Sequence, residues 1–287
     1  MNDHIIVCPF DEELVTKLKE KAIVIKTKDF RIIPYINQEV NRFNKLHAIQ
    51  LNSDEPISAI PFQDDWRNIP LAVYAYEFGS YKDFLHKLYL LRQLNIRIFL
   101  SSDIKVNYTW LRMLSSLKIA CGLYFGEDPI DWDAVNDLMH YAVYLRTNHA
   151  PIEPFHYIVS NYRPTELIDF NSICFNNSAR YIHINKEEQI ALTNDDLSNN
   201  RYIASGLASL NTISTYIEYH DKTKACQEIM LKMNECAFCK AYRICFIKSV
   251  HDHNESEGCK EFFIDLLDAA DFYQKRQKNN GYQLWQL

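Results

Sequence analysis

The chain has 287 residues, of which 47% are hydrophobic and 24% charged, enough for one large domain or a domain with a smaller companion. Its formal net charge of −6 argues against a nucleic-acid partner, because phosphate recognition requires a basic surface. The sequence shows neither a signal peptide nor an apolar run near the ~20 residues that span a bilayer, so we expect a cytoplasmic protein whose cysteines are thiols or metal ligands.

Residues 1–70 are expected to form an N-terminal α/β segment, whose role the sequence leaves open. Apolar runs predict strands at Ile5–Cys8 and Ala22–Lys26. Asp11–Lys21 is expected to be helical, because acidic residues open it and lysines close it, which suits the helix dipole. A further helix is predicted over Asn37–Leu46.

From Leu71 onward the pattern alternates between strand and helix. The predicted strands are Leu71–Phe78, Ile96–Leu100, Ile119–Phe125 and Phe155–Ser160. The predicted helices are Tyr81–Leu94, Asn107–Leu117 (with Asn107 as its N-cap) and Asp131–Thr147. Strands separated by helices of this length favour parallel β–α–β units, which build either an open doubly wound sheet or part of a (β/α) barrel.

The last third of the chain carries a predicted hairpin and two predicted helices. Alternating residues indicate a two-stranded hairpin over Tyr181–Asn185 and Gln189–Thr193, followed by a helix over Leu207–Ile217. Glu261–Lys275 is predicted to be an amphipathic helix. Its apolar side carries Phe262, Phe263, Leu266, Leu267, Ala270 and Tyr273. We expect this side to pack against the rest of the protein, with an exposed partner-docking surface as the alternative.

Four of the eight cysteines are concentrated near the C-terminus. Cys236 and Cys239 form a Cx2C pair, Cys245 follows after five intervening residues, and Cys259 after thirteen more. Four thiolates at this spacing can hold one Zn²⁺ or one [4Fe–4S] cluster. Buried apolar thiols are the alternative, but the surrounding Lys, Arg, Asp, Glu and His residues make a poor core. Zinc ribbons usually repeat the Cx2C pair, whereas this chain does not.

The remaining cysteines and two histidines are secondary candidates. Cys8 and Cys121 are expected to be buried thiols, and Cys226 could serve as a spare or replacement ligand. His251 and His253 could also bind metal, but their polar surroundings favour a solvated loop.

The cysteine spacing resembles the C-terminal auxiliary-cluster module of radical SAM peptide-modifying enzymes, the SPASM domain. The resemblance implies one [4Fe–4S] cluster, with Zn²⁺ as the alternative occupant of the same site. Its ligands would be Cys236, Cys239, Cys245 and Cys259. A further family cysteine, which serves another cluster, is replaced here by Ser249. Residues 171–287 would thus form a small SPASM/twitch-like iron–sulfur module of a hairpin and a helix.

The resemblance continues into residues 71–170, which would form a degenerate partial barrel similar to the radical SAM fold. Ser101-Ser102-Asp103 and Leu123–Asp128 stand where that family has turns at the ends of barrel strands. Glu77-Phe78-Gly79 takes the place of the turn that contacts the amino group of S-adenosylmethionine. The implied fold class is therefore α/β, with a partial (β/α) barrel and the C-terminal iron–sulfur module.

The radical chemistry of that family requires a CxxxCxxC signature that this chain lacks. Cys8 is the only cysteine in residues 1–70, and the positions four and seven beyond it are Glu12 and Val15. Cys174 resembles a leftover ligand of the family's bridging segment, and we expect it to be a buried thiol. The pattern is typical of pseudo-radical-SAM proteins, which do not cleave S-adenosylmethionine.

Such degenerate members are associated with the maturation of ribosomally made, post-translationally modified peptides, including grasp-with-spasm systems. The resemblance implies an accessory protein that binds a precursor peptide, a peptide-modifying enzyme, or both. Pairing of an extended peptide with an open sheet edge is the expected mode of binding. Neither a nucleic-acid nor a membrane partner is expected.

Two other functions stay open at this point. A fully ligated cluster could pass electrons to a radical SAM enzyme. Alternatively, the barrel mouth could carry non-radical chemistry, because loops at strand carboxyl ends hold catalytic residues in such folds. The candidate acid–base groups would be Glu77, Asp103, Glu127 and Asp128, for which solvated turn carboxylates are the simpler interpretation. We therefore assign no catalytic residue.

Overall fold

The computed structural model describes residues 4–125, 129–145, 148–168, 170–221, 224, 238–245 and 258–280. The strands are β1 (Ile5–Pro9), β2 (Ala22–Thr27), β3 (Lys45–Ser53), β4 (Leu71–Ala75), β5 (Ile96–Ser101), β6 (Ala120–Tyr124), β7 (Ile152–Glu153), β8 (Tyr181–Ile184), β9 (Gln189–Ala191) and β10 (Ala204–Ser205). The α-helices are α1 (Glu12–Lys17), α2 (Ile33–Phe43), α3 (Tyr81–Leu85), α4 (Leu88–Leu91), α5 (Asn107–Ser116), α6 (Trp132–Tyr144), α7 (Phe155–Asn161), α8 (Asn194–Ser198) and α9 (Cys259–Asn280).

The strands form a single sheet in the order β10-β9-β8-β1-β2-β3-β4-β5-β6-β7. From β1 to β7 each strand lies beside its successor, and every one of these pairs is parallel. β8 pairs in parallel with β1, while β9 and β10 continue antiparallel beyond it. The predicted α/β class with a largely parallel sheet is confirmed, and strands from residues 1–70, 71–170 and 171–287 share it.

One face of the sheet packs against the helices and builds the main core. The register places Ile6 beside Ile23, and Ile25 beside Ile49. These side chains join one apolar cluster with buried helix residues, namely Leu14, Val15, Ile36, Val40, Leu111, Leu114, Val135 and Leu138. Right-handed crossovers between neighbouring parallel strands collect their helices on one face, which explains this segregation. Removing this apolar surface from water is the main stabilising contribution to the fold.

The opposite face of the sheet is polar and aromatic toward β7. At β1, β2, β3 and β8 it carries a second, apolar cluster of Ile5, Val7, Val24, Ala48 and Tyr181. One row of neighbours across the strands is Lys26, Gln50, Ala72, Arg97 and Ala120. The next row is Asn52, Tyr74, Phe99, Gly122 and Glu153. Tyr74 stacks on Phe99 with ring centroids 4.6 Å apart. A Cβ at Gly122 would lie 2.8 Å from the Glu153 carbonyl oxygen and 2.9 Å from the Phe99 ring, so this close approach requires glycine.

Residues 170–177, here called the cover segment, lie over the opposite face. The Cys174 side chain lies near the Tyr74 hydroxyl on β4. The Phe175 ring packs edge-on against Tyr181 of β8, with ring centroids 5.8 Å apart. The protein's own side chains therefore occupy part of the surface that a barrel interior would present.

Several local predictions hold because capping groups fix the helix ends. The Asp11 carboxylate accepts a hydrogen bond from Leu14 N at 3.0 Å and begins α1, although that helix ends at Lys17 rather than Lys21. The Asp131 carboxylate caps α6 through Ala134 N at 3.1 Å. Ser, Thr, Asn and Asp are favoured at such positions because they satisfy amide groups that the first helical turn leaves unbonded.

Asn107 was expected to cap α5, and this prediction is wrong. Val106 occupies the N-cap position, and Asn107 is a buried first residue of the helix. Its side-chain amide donates to the carbonyl oxygens of Tyr76 and Ser101, both at 2.9 Å. Asn107 therefore ties the carboxyl ends of β4 and β5 together.

The predicted strand Phe155–Ser160 is also wrong, because these residues belong to α7. The strand in this region is β7, which lies immediately before the helix. The buried Glu153 carboxylate accepts from Tyr157 N at 2.9 Å and stabilises the first helical turn. An apolar run this short fits a buried helix as well as a strand, so periodicity could not separate them.

Three further helix predictions need correction. The Asn37–Leu46 helix ends at Phe43, where Asn44 adopts an extended backbone, and β3 begins at Lys45. Tyr81–Leu94 divides into the short helices α3 and α4. Leu207–Ile217 contains two 3₁₀ turns. The Ser209 and Thr215 hydroxyls donate to nearby backbone carbonyls there, a local alternative to helical hydrogen bonding.

Candidate metal centre and polar face of the sheet

Residues 238–245, here called the cysteine turn, carry two of the predicted ligands. Cys239 and Cys245 are both half-buried and contact the main core. Between them, Ala241 and Ile244 are buried and anchor the turn. Cys245 N donates to the Ala241 carbonyl oxygen at 3.1 Å, which closes the turn on itself.

The cysteine turn is held against the chain that follows α7. Ile168 N donates to the carbonyl oxygen of Arg243 at 3.0 Å. The Arg243 guanidinium in turn donates to the carbonyl oxygen of Pro164. These two hydrogen bonds fix the turn beside the helix layer.

Cys259 begins α9, so its position depends on how that helix docks. The preceding Gly258 has a φ of +93°, and a Cβ there would lie 3.2 Å from the Trp132 Cβ. Glycine is therefore favoured at position 258 both by the backbone conformation and by the contact with α6. A helix N-terminus stabilises a thiolate through its unbonded amide groups, which suits a cysteine that binds metal.

Helix α9 packs on α6 and α7 with its apolar side. The Trp132 ring lies 5.0 Å from the Phe262 ring and 5.6 Å from the Phe263 ring, between centroids. Asn136 Nδ2 donates to Asp265 Oδ2 at 3.1 Å at the edge of this contact. The prediction that this helix packs against the protein is confirmed, because Phe262, Phe263 and Leu266 are buried.

The donor chemistry of the described cysteines fits an iron–sulfur cluster or zinc, because thiolates are the preferred ligands of both. Cys239, Cys245 and Cys259 all contact the same core from half-buried positions. The fourth predicted ligand, Cys236, lies outside the described residues.

Within the described parts of the chain, no three His, Cys, Asp or Glu side chains form a group that could hold a metal ion. The four-cysteine centre therefore stays a prediction. The secondary candidates Cys226, Ser249, His251 and His253 also lie outside the described residues.

The cysteines expected to be buried thiols have clear environments. Cys8 lies within β1 and Cys121 within β6, both fully buried in the main core. Burial raises the pKa of Cys8 to about 12 and raises that of Cys121 further. Cys174 is half-buried in the cover segment. Burial raises the pKa of the Tyr74 hydroxyl well above its ordinary value, and the adjacent Cys174 adds to this effect.

The predicted strand-end carboxylates are not assembled into a site by the described residues. Glu77 follows β4 and is exposed. Asp103 follows β5, is half-buried, and accepts a hydrogen bond from Ser102 Oγ at 3.3 Å. Glu127 and Asp128 lie outside the described residues.

A charged group on the opposite face was missed from the sequence. Glu153 is buried, and its Oε1 lies 4.0 Å from a guanidinium nitrogen of Arg97. Burial lowers the pKa of the neighbouring His156, an effect that the Glu153 carboxylate opposes. The sequence carries only a weak signal for this group. His156 lies in the segment that was predicted to be a strand, and Glu153 lies just before it. In the structure, the Glu153 carboxylate links β7 to Arg97 of β5 and to the first turn of α7.

The lowered pKa of His156 predicts a loss of stability in mild acid. The unfolded chain binds a proton near the ordinary pKa of about 6.5, whereas the folded protein resists it, so stability falls as pH drops below that value. We expect His156→Gln to reduce the loss between pH 7.5 and 5.5 by about 1 kcal/mol. Urea denaturation at the two pH values measures this difference.

The matched control is His86→Gln, which alters an exposed histidine on the surface. This variant should keep the pH dependence of the unaltered protein. An identical pH dependence in His156→Gln would contradict the assignment of the effect to His156.

No family model matches this sequence, and comparison with curated proteins and with solved structures found no significant similarity. No helix in the described residues is long and apolar enough to cross a bilayer.

Proposed function

We propose that the protein is an accessory factor in the maturation of ribosomally made peptides, which binds a precursor peptide, a modifying enzyme, or both. The observation that carries this proposal is the strand arrangement. Seven parallel strands, β1 to β7, follow one another in chain order with their helices on one face. This is the winding of (β/α) barrels and of partial barrels such as the radical SAM fold, whose peptide-modifying members the cysteine spacing resembles.

In this proposal the C-terminal cysteines form a resident metal centre. Cys236, Cys239, Cys245 and Cys259 would hold one [4Fe–4S] cluster, or Zn²⁺ in the same site. When bound, the cluster would supply a structural cross-link and a one-electron redox couple. Leu267 of α9 lines one cavity with Ala241 and Ile244 of the cysteine turn. Two segments that are distant in the sequence are therefore neighbours, which supports this proposal.

Peptide binding by strand addition is supported by the short edges of the sheet. β7 pairs with Cys121 and Gly122 of β6, whereas β5 pairs along the whole of β6. Leu123 is fully buried, which closes this position to an added strand, whereas at the other end of the sheet β10 pairs with β9 on one side and its Ser205 is exposed. An extended peptide added there would gain backbone hydrogen bonds.

A binding role suits this chain better than chemistry on the face that a barrel would enclose. The cover segment lies on the face where a barrel enzyme would hold its substrate, and the Tyr74 hydroxyl beneath it is buried. The strand-end carboxylates Glu77 and Asp103 are exposed and half-buried, respectively, which suits solvated turns.

Electron transfer is the second candidate function. It is favoured by the position of Phe238, which is 72% exposed beside the half-buried Cys239. A cluster bound next to such a residue would lie near the surface, where electrons can pass to a partner. A reversible one-electron couple that reduces a radical SAM enzyme would support this function over peptide binding.

The proposed function is tested by titrating cluster-loaded protein with short peptides encoded beside its gene and measuring heat or fluorescence anisotropy. Saturable binding of one such peptide supports the proposal. Binding of none of these peptides, together with no association with the neighbouring modifying enzymes, would refute it.

We also expect no catalytic cleavage of S-adenosylmethionine. Reductive cleavage requires a cluster with one iron open to the cofactor, whereas four thiolates would saturate the single proposed cluster. The reduced, iron-loaded protein is incubated with the cofactor, and 5′-deoxyadenosine is measured against a control without protein. Repeated turnover above that control would indicate that the protein is a radical SAM enzyme.

A further inference from the structure

A cavity of about 350 Å³ lies between the cysteine turn, the chain after α7, and α9. Its apolar lining comes from Pro164, Ala241, Ile244 and Leu267. Its polar lining comes from Tyr162, Lys240 and Arg243. The volume is within the range of pockets that hold small ligands or single side chains of a partner.

The walls of this cavity are fixed by the packing around it. Ala241 and Ile244 are buried residues of the cysteine turn. Both the backbone and the side chain of Arg243 are fixed by hydrogen bonds. Its carbonyl oxygen accepts from Ile168 N, and its guanidinium donates to the carbonyl oxygen of Pro164. A guanidinium has five N–H donors, so this bond leaves others for a ligand.

The charge at the cavity is positive. Lys240 and Arg243 both contribute cations and are exposed, and neither has an ion-pair partner among the described residues. Burial raises the pKa of Tyr162, and Asp271 adds to this effect while Arg243 opposes it. The Tyr162 phenol is therefore protonated at neutral pH and can donate a hydrogen bond. The described residues that line the cavity include two cations and one phenol but no carboxylate, which favours an anionic ligand.

We infer that this cavity binds an acidic peptide segment. A carboxylate of the peptide would be held by Lys240 and Arg243, and an adjacent aliphatic side chain would pack on Ile244 and Leu267. Charged hydrogen bonds to a carboxylate are stronger than neutral ones, and an apolar wall adds affinity by removing aliphatic surface from water. The inference rests on the proposed peptide-binding function and assigns it a place and a ligand chemistry.

The test uses a fluorescein-labelled peptide of alternating leucine and aspartate, and an otherwise identical peptide with asparagine for aspartate. Fluorescence anisotropy measures the dissociation constant of each with the full-length protein. We expect the aspartate peptide to bind more tightly, and Lys240→Glu to weaken its binding at least about fivefold. The matched control is Lys275→Glu, which reverses the charge of an exposed lysine on α9 away from the cavity and should retain the binding.

Absence of binding, equal binding of the two peptides, or unchanged binding by Lys240→Glu would each overturn the inference. A parallel measurement with the encoded precursor peptide separates this result from the proposed function. If the precursor binds Lys240→Glu and the unaltered protein equally, the cavity inference fails while the proposed function stands. If the aspartate peptide binds at the cavity but no encoded precursor binds, the cavity inference stands and the proposed function fails.

Discussion

Replacement of Cys259 by alanine is expected to remove most of the iron from protein prepared without oxygen. The intact chain should contain about four irons and be brown, because four thiolates saturate one [4Fe–4S] cluster. Loss of one ligand opens the cluster, and metal binding in such modules is coupled to folding. We therefore also expect the variant to unfold at a lower temperature, as α9 loses its link to the cysteine turn. Iron and sulfide assays with thermal denaturation measure both effects.

Cys174→Ala is the matched control, because Cys174 is another half-buried cysteine but lies in the cover segment. Its iron content should equal that of the unaltered chain. Loss of iron in this control would indicate a second cluster with Cys174 as a ligand. A colourless, unaltered protein with one zinc would contradict the cluster while preserving the four-thiolate site.

Phe262→Ala is expected to lower the free energy of unfolding by about 3–5 kcal/mol. The Phe262 side chain is buried between α9, α6 and α7, and its ring contacts Trp132, Phe155 and Phe263. The substitution removes a large apolar side chain and leaves a cavity that these rings cannot fully close. Chemical denaturation followed by tryptophan fluorescence measures the change.

The control for this substitution is Phe272→Ala on the same helix, since Phe272 is 44% exposed. It should cost no more than about 1 kcal/mol, because less apolar surface is returned to water. Equal losses in the two variants would contradict the docking of α9 through its N-terminal half.

The alternating elements were largely predictable because their signals are local. Strands β1, β2, β5 and β6 consist of apolar runs. Acidic residues in the first turn of α1 suit the helix dipole. Asp131 caps α6 because its carboxylate accepts from an amide that the first helical turn leaves unbonded. The parallel sheet was then expected from strands separated by helices. Its strand order depends on contacts between distant residues, which a single sequence does not specify.

Predictions failed where long-range contacts determine the local conformation. Asn107 has the side chain of an N-cap, but two backbone carbonyls at the carboxyl ends of β4 and β5 hold it inside the helix. Glu153 and His156 became neighbours only because β7 ends after two residues and α7 follows at once. The cysteine spacing predicted a metal centre but contained no information about the cavity beside it, whose lining is drawn from three separate segments.

The position of β1 in the sheet has a consequence for synthesis of the protein. β1 is synthesised well before β8, which begins at Tyr181. One side of β1 can therefore pair early with β2, while the other side must wait for β8. Until then Ile5, Ile6 and Val7 offer an unpaired apolar strand to other nascent chains. Such late, non-local pairing slows folding and exposes a strand to aggregation. Expression at reduced temperature, or together with a chaperone, should therefore raise the yield of soluble protein. Substitutions in the C-terminal half should raise that yield less.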